Sequence, residues 1–150
     1  MPIIQTATTS FKLQLMQGIH NFGPTSPDTF KVALYTSAAT LGFDTTIYTT
    51  SNEVSSAGTG YTAGGKTLTI NPSPNTGLNS TAVPTAFVSF DDVSWTNATF
   101  TTAGALIYNS TEGNKAVAVL VFNIVKTVNN DTFQIIFPTP DANNAIVRIS

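Results

Sequence analysis

The alternation of apolar and polar positions along this chain predicts strands for most of its length and a single helix near its start. At residues 30–35, Phe30, Val32 and Leu34 alternate with Lys31, Ala33 and Tyr35, the period of two of a strand with one buried face. Residues 66–70 make a short strand closed by the prolines at 72 and 74. Residues 86–95 (AFVSFDDVSW) are apolar on both faces until Asp91 and Asp92, and Val93 and Trp95 lie in the opposite register to Val88 and Phe90. A bulge at the aspartates would return them to a common face. Further strands are expected at 101–109, at 114–125 and at 132–137, with a last one at 145–149. The 114–125 run, apolar on both faces, reads as a central strand.

Only one stretch has helical period. Phe11, Leu15 and Ile19 recur at i, i+4 and i+8, Met16 broadens the stripe, and Ser10 stands where an N-cap belongs, so a helix is expected over 10–21. A helix of that length cannot fold alone, and its apolar face should lie on a sheet. Residues 1–9 read as an extended arm, in which Ile3 and Ile4 either dock on a partner or form an edge strand or frayed end. Residues 36–63 carry scattered aromatics (Phe43, Tyr48, Tyr61) among Ser, Thr and Gly, with at most a short strand at 46–50, and read as a projecting loop that touches a partner. The fold class that follows is all-β, an antiparallel β-sandwich of jelly-roll-like kind with about seven or eight strands and one N-terminal α-helix packed on it. Its single domain is expected over 10–150.

Composition agrees with that class and removes several functions. Charged residues are 9% of the 150, and Thr alone makes up about one residue in six, so solubility rests on hydroxyls and amides. A net charge of -2 with six basic residues gives no electrostatic footprint for nucleic acid or an anionic membrane. No cysteine is present, which excludes disulfides, thiolate chemistry and sulfur-held metals. The start MPIIQTATTS lacks a basic region followed by an apolar run, and no run reaches a membrane span, so the protein is expected to be soluble where it is made.

Candidate chemistry is sparse. Gly60, Gly65, Lys66 and Thr67 fit the phosphate-cradling pattern G-x-x-x-x-G-K-[ST]. That loop needs a buried strand before it and a helix after it, whereas Thr67 is followed by an alternating run and two prolines. A glycine-shaped turn is therefore expected, and no nucleotide. His20 at the helix end is expected to satisfy the last carbonyls; with no second histidine to build a metal site, no metal is expected at it. Asp91 and Asp92 point to opposite faces of a strand unless bulged, in which case calcium is conceivable; edge protection is the default. No catalytic residue and no cofactor is nominated.

Three stretches carry a resemblance: FKVALYTSAATL at 30–41, NEVSSAGTGYTAGGKTL at 52–68, and FDDVSWTNATFTTAGALIYNSTEGNKAVAVLVF at 90–122. They resemble small structural proteins of tailed bacteriophages, similar in kind to capsid decoration, or cement, proteins. The filling Ser55, Ser56 and Ala57 is longer than in similar sequences. The resemblance implies a non-enzymatic virion protein, made in the host cytoplasm and bound to the major capsid protein as a dimer or trimer, bridging neighbouring capsomers. Its contacts would come from Ile3, Ile4, Phe43, Tyr48 and Tyr61. The alternative is a tail or head-fibre component or a host-surface carbohydrate-binding module, with Trp95, Tyr48 and Tyr61 to stack on sugar.

Overall fold

The computed structural model describes residues 2–150. In chain order the elements are β1 (Thr6–Ala7), α1 (Thr9–Met16), β2 (Phe30–Tyr35), β3 (Lys66–Thr67), β4 (Asn75–Leu78), β5 (Pro84–Val88), β6 (Val93–Asn109), β7 (Lys115–Ile135) and β8 (Val147–Ile149). They form two antiparallel sheets, one ordered β1-β7-β6-β2-β3 and the other β4-β5-β8. The protein is thus an all-β sandwich with one short helix.

The organising element is the β6–β7 hairpin. The separate strands expected at 114–125 and 132–137 are one strand of 21 residues, paired along its length with the 17 residues of β6. Its continuity survives Thr- and Asn-rich stretches because each irregularity is absorbed by a shift of register. One lies between Thr102 and Gly104, which pair with Lys126 and Val121, so that four residues of β7 oppose one of β6.

At 86–95 no bulged strand exists. Val88 ends β5 in the small sheet and Val93 begins β6 in the large one. The aspartates occupy the corner between the sheets, where Asp92 Oδ1 accepts the Phe137 amide (2.8 Å) and Asp91 Oδ1 accepts the Asn71 amide side chain (2.6 Å). Changing sheets, rather than bulging, reverses the facing of Val93 and Trp95.

The helix is shorter than its periodicity suggests. Thr8, not Ser10, is the N-cap, its hydroxyl accepting from the Phe11 amide. Gly18 takes a φ of +71° and stops the helix, so Ile19 leaves the stripe and only Phe11 is fully buried.

Two apolar clusters flank the large sheet. Between the sheets lie Val32, Leu34, Ala105, Ile107, Val117 and their neighbours, with Phe22, Phe30 and Phe90 stacked or tilted on one another. The opposite face carries Ala33, Tyr35, Leu106, Tyr108 and Val119. Thus β2 is buried on both faces, not one. The second face is covered by the 36–63 segment, which does not project: Ala39 and Leu41 are buried in the outer cluster, and Val54 and Tyr61 in the inner one.

Candidate interaction surface

The 52–69 stretch organises this covering. Val54 N donates to Leu34 O (2.9 Å), and Leu68 N donates to Phe30 O (2.8 Å), so the segment runs along the free edge of β2 on both sides of a glycine turn. Gly65 has a φ of +73°, and a Cβ there would overlap Val32 O. The turn is shaped by close approach of two backbones. Lys66 enters β3, with no helix after it, and its ammonium donates to Ser94 O (2.6 Å) while lying 5.8 Å from the Trp95 ring centre.

Glu53 ties the covering segment together. Its carboxylate accepts from the Tyr61 hydroxyl (2.6 Å) and the Gly64 amide (2.7 Å) through Oε1, and from the Tyr48 hydroxyl (2.7 Å) through Oε2. Tyr61 in turn accepts the Leu34 amide (2.9 Å), and Tyr108 donates to Gly64 O (2.7 Å). Tyr48 stacks on Tyr108 with ring centres 4.5 Å apart. Burial first, then the neighbouring carboxylate, raises the pKa of the Tyr48 and Tyr61 phenols above the ordinary value and brings Tyr108 to about 12.

His20 has a comparable structural duty, different from capping the helix. Asn109 Oδ1 accepts the amides of Thr111 and Glu112, which leaves its Nδ2 to donate to Asp28 (2.7 Å) and to His20 Nδ1 (3.0 Å). His20 Nδ1 is then the acceptor, and Nε2 carries the proton to Gln14 Oε1 (2.8 Å). Burial lowers the imidazole pKa; Asp28 opposes the shift and Lys115 adds to it.

The five residues nominated for partner contact divide. Tyr61 is buried, Tyr48 is half-buried under the Glu53 network, and Ile3 packs into the outer cluster. Ile3 fits there because Gly104 leaves room: a Cβ at Gly104 would lie 2.9 Å from Ile3 Cγ2. Ile4 and Phe43, by contrast, are 51% and 60% exposed. Trp95 is as buried as Tyr61, so neither can stack on a sugar.

The arm, the loop and the helix start are bonded to one another. Ile4 N donates to Leu41 O (2.9 Å), Thr9 N to Phe43 O (2.8 Å), and the Ser10 hydroxyl to Thr45 O (3.4 Å). On the helix, Leu13 is exposed and Met16 is 81% exposed. Beside α1, with Met16 on its lining, lies a groove of about 900 Å3, walled by Phe11, Leu15, Leu120 and Val147, with Lys12 and Arg148 also lining it. The groove is not legible in the sequence, since its lining comes from five elements, β1, α1, β5, β7 and β8; Leu15 and Met16 of the helical stripe are the part of it that periodicity marks.

Among the described residues no group of three or more acidic or histidine side chains is placed to hold a metal, and no helix is long and apolar enough to cross a membrane. No protein-family model, curated protein or solved structure matches the chain.

Proposed function

We propose that this chain is a non-enzymatic virion structural protein that decorates an assembled phage head, binding the major capsid protein through its arm, loop and helix. The observation that carries this reading is the backbone joining of the 36–63 loop to the arm and helix start, distant from it in sequence, with exposed apolar side chains on each. Ile4 and Phe43 sit outward on backbones bonded to Leu41 and Thr9, with Leu13 exposed on the helix that follows. Apolar side chains held outward on a rigid, weakly charged frame suit a lattice contact, in which many modest interfaces act together. The resemblance at 30–41, 52–68 and 90–122 supplies the kind of partner. The groove beside α1, with Lys12 and Arg148, would take an extended apolar segment bearing an acidic residue.

Mixing the purified protein with undecorated mature heads and imaging the pellet by cryo-electron microscopy tests this. Regular added density is expected, and the double variant Ile4→Asp, Phe43→Asp should abolish it while keeping the thermal unfolding of the parent. Heads that pellet without added density would overturn the reading.

A further inference from the structure

The outer edge of β7 changes character along its length. At Val119 and Ala118 it is paired with Thr6 and Ala7 of β1, and Thr8 N donates to Val117 O (3.0 Å). Beyond Val121, whose amide donates only a long bond to Gln5 Oε1 (3.4 Å), no strand among the described residues follows on that side as far as Ile135. An open edge this long is a template for another strand, and proteins normally protect such edges. Ile124, in the bulge of β7, and Ile136, just past its end, are each 72% exposed.

The segment between them carries two charges, Lys126 and Asp131. Register places both on one face: Lys126 pairs with Thr102, Val128 with Phe100 and Asp131 with Ala98, on the side of the sheet where Phe100 and Ala98 join the main core. Thr127 and Asn129 pair with Thr101 and Thr99 on the other face. The odd count is taken up at Asn130, the extra residue of a register shift, with a φ of +47°. With Asn130 bulged out of the ladder, Val128 therefore stands midway, with one paired residue of the opposite face and then one charge on each side, and the two charges have opposite sign.

We propose that the open edge of β7 pairs antiparallel with the same edge of a second copy about a twofold axis at Val128, setting each copy's Lys126 against the other's Asp131. Antiparallel pairing about an axis normal to the sheet keeps faces matched, so Val128 meets Val128 and Thr127 meets Asn129. A lone inward-facing charge on an edge would be buried in such a pair without a partner of opposite sign, which blocks it. Two opposite charges placed symmetrically instead satisfy one another, as cross-strand ion pairs do. The half-buried Phe122, Val128 and Phe133, already packed on the main core, would lose their remaining exposure beside the neighbour's. This pairing is independent of the virion reading, since it needs no capsid.

Sedimentation equilibrium on the free protein tests it. A dimer is expected, with Lys126→Asp and Asp131→Lys each raising its dissociation constant by at least about tenfold, through like charges set opposite. The double exchange Lys126→Asp, Asp131→Lys should return the constant to near the parent value. Both side chains are exposed, and circular dichroism of each variant verifies that the fold is kept. A protein monomeric up to about 1 mM, with the charges serving only to protect the edge, would overturn the proposal. So would a trimer, or a dimer indifferent to both single variants.

Discussion

The two ends of the β6–β7 hairpin are built from the same two strands and differ in almost everything that surrounds them. Near the turn, Ala105, Leu106, Ile107 and Tyr108 are buried on alternate faces, one against the second sheet and the other under the 36–63 segment, with β1 on the edge. At the far end β6 stays buried at Trp95, Ala98 and Phe100, but in β7 residues 123–127 and 129–132 are exposed, and the outer edge of β7 is bare among the described residues. Backbone pairing is common to both halves. What differs is the covering, and it follows that cover, rather than strand pairing, sets where substitutions are felt.

The largest expected effect lies in the covered half. Leu106→Ala removes a side chain with no exposure from the cluster beneath the loop, where Tyr35, Tyr108 and the Glu53 network hold the surrounding walls in place. A cost of about 3 kcal/mol is expected in urea unfolding, the range for Leu truncations whose surroundings relax only partly. A cost below about 1 kcal/mol would mean that the loop follows the cavity inward and is a pliable cover.

Next comes the tie that fastens the cover. Glu53→Gln keeps the volume but loses the charge and part of the acceptor capacity shared by Tyr48, Tyr61 and Gly64. About 2 kcal/mol should be lost at neutral pH, as for hydrogen bonds to a charged group. The variant should also respond differently to alkali. The phenols of Tyr35, Tyr48, Tyr61 and Tyr108 have folded-state pKa values raised above 10, by burial first and Glu53 second, to about 12 at Tyr108. Each contributes stability that is fully present below pH 10 and is lost as pH rises from 10 through the folded value. Unfolding followed by circular dichroism between pH 9 and about 11.5 should therefore fall more steeply for the parent than for Glu53→Gln. Equal slopes would show that Glu53 does not lift the titration of these phenols within that window.

The hairpin contrast also explains what could be read in the chain. Alternation at Phe30, Val32 and Leu34 marks β2 as a strand but not its second buried face, and the 114–125 run, expected to be buried on both faces, is so at 116–119 and exposed at 123–125, so simple periods place strands better than they place cover. The cover at 36–63 was illegible as cover: its anchors Ala39, Leu41, Val54 and Tyr61 are spaced irregularly, since a segment crossing a sheet in extended loops obeys neither period. Glu53 drew notice only as part of a motif, not as the acceptor for two tyrosines. The distal half of β7 was split in two because Thr127, Asn129, Asn130 and Asp131 resemble a turn. Their strand conformation is imposed by pairing with β6, and pairing partners are not written locally. For the surface, Ile4 and Phe43 could be nominated as apolar residues in unpatterned segments, but Ile3 and Tyr61 share that appearance and face inward.

The smallest effect should come from the bare half, where Ile124→Thr tests whether cover is the deciding variable. Ile124 has the same class of side chain as the buried Ile107, in the same hairpin, and differs in lying on a bulge of four residues opposite Ala103. Its exposure means that little apolar area is taken from water in the folded chain, and Thr retains the β-branching that suits extended backbone. Unfolding at concentrations low enough to keep the chain monomeric should shift by no more than about 0.5 kcal/mol. A loss above about 1.5 kcal/mol would mean that Ile124 packs on the domain in solution. The two halves would then be alike in cover, and the reason for expecting a free edge on β7 would go with it.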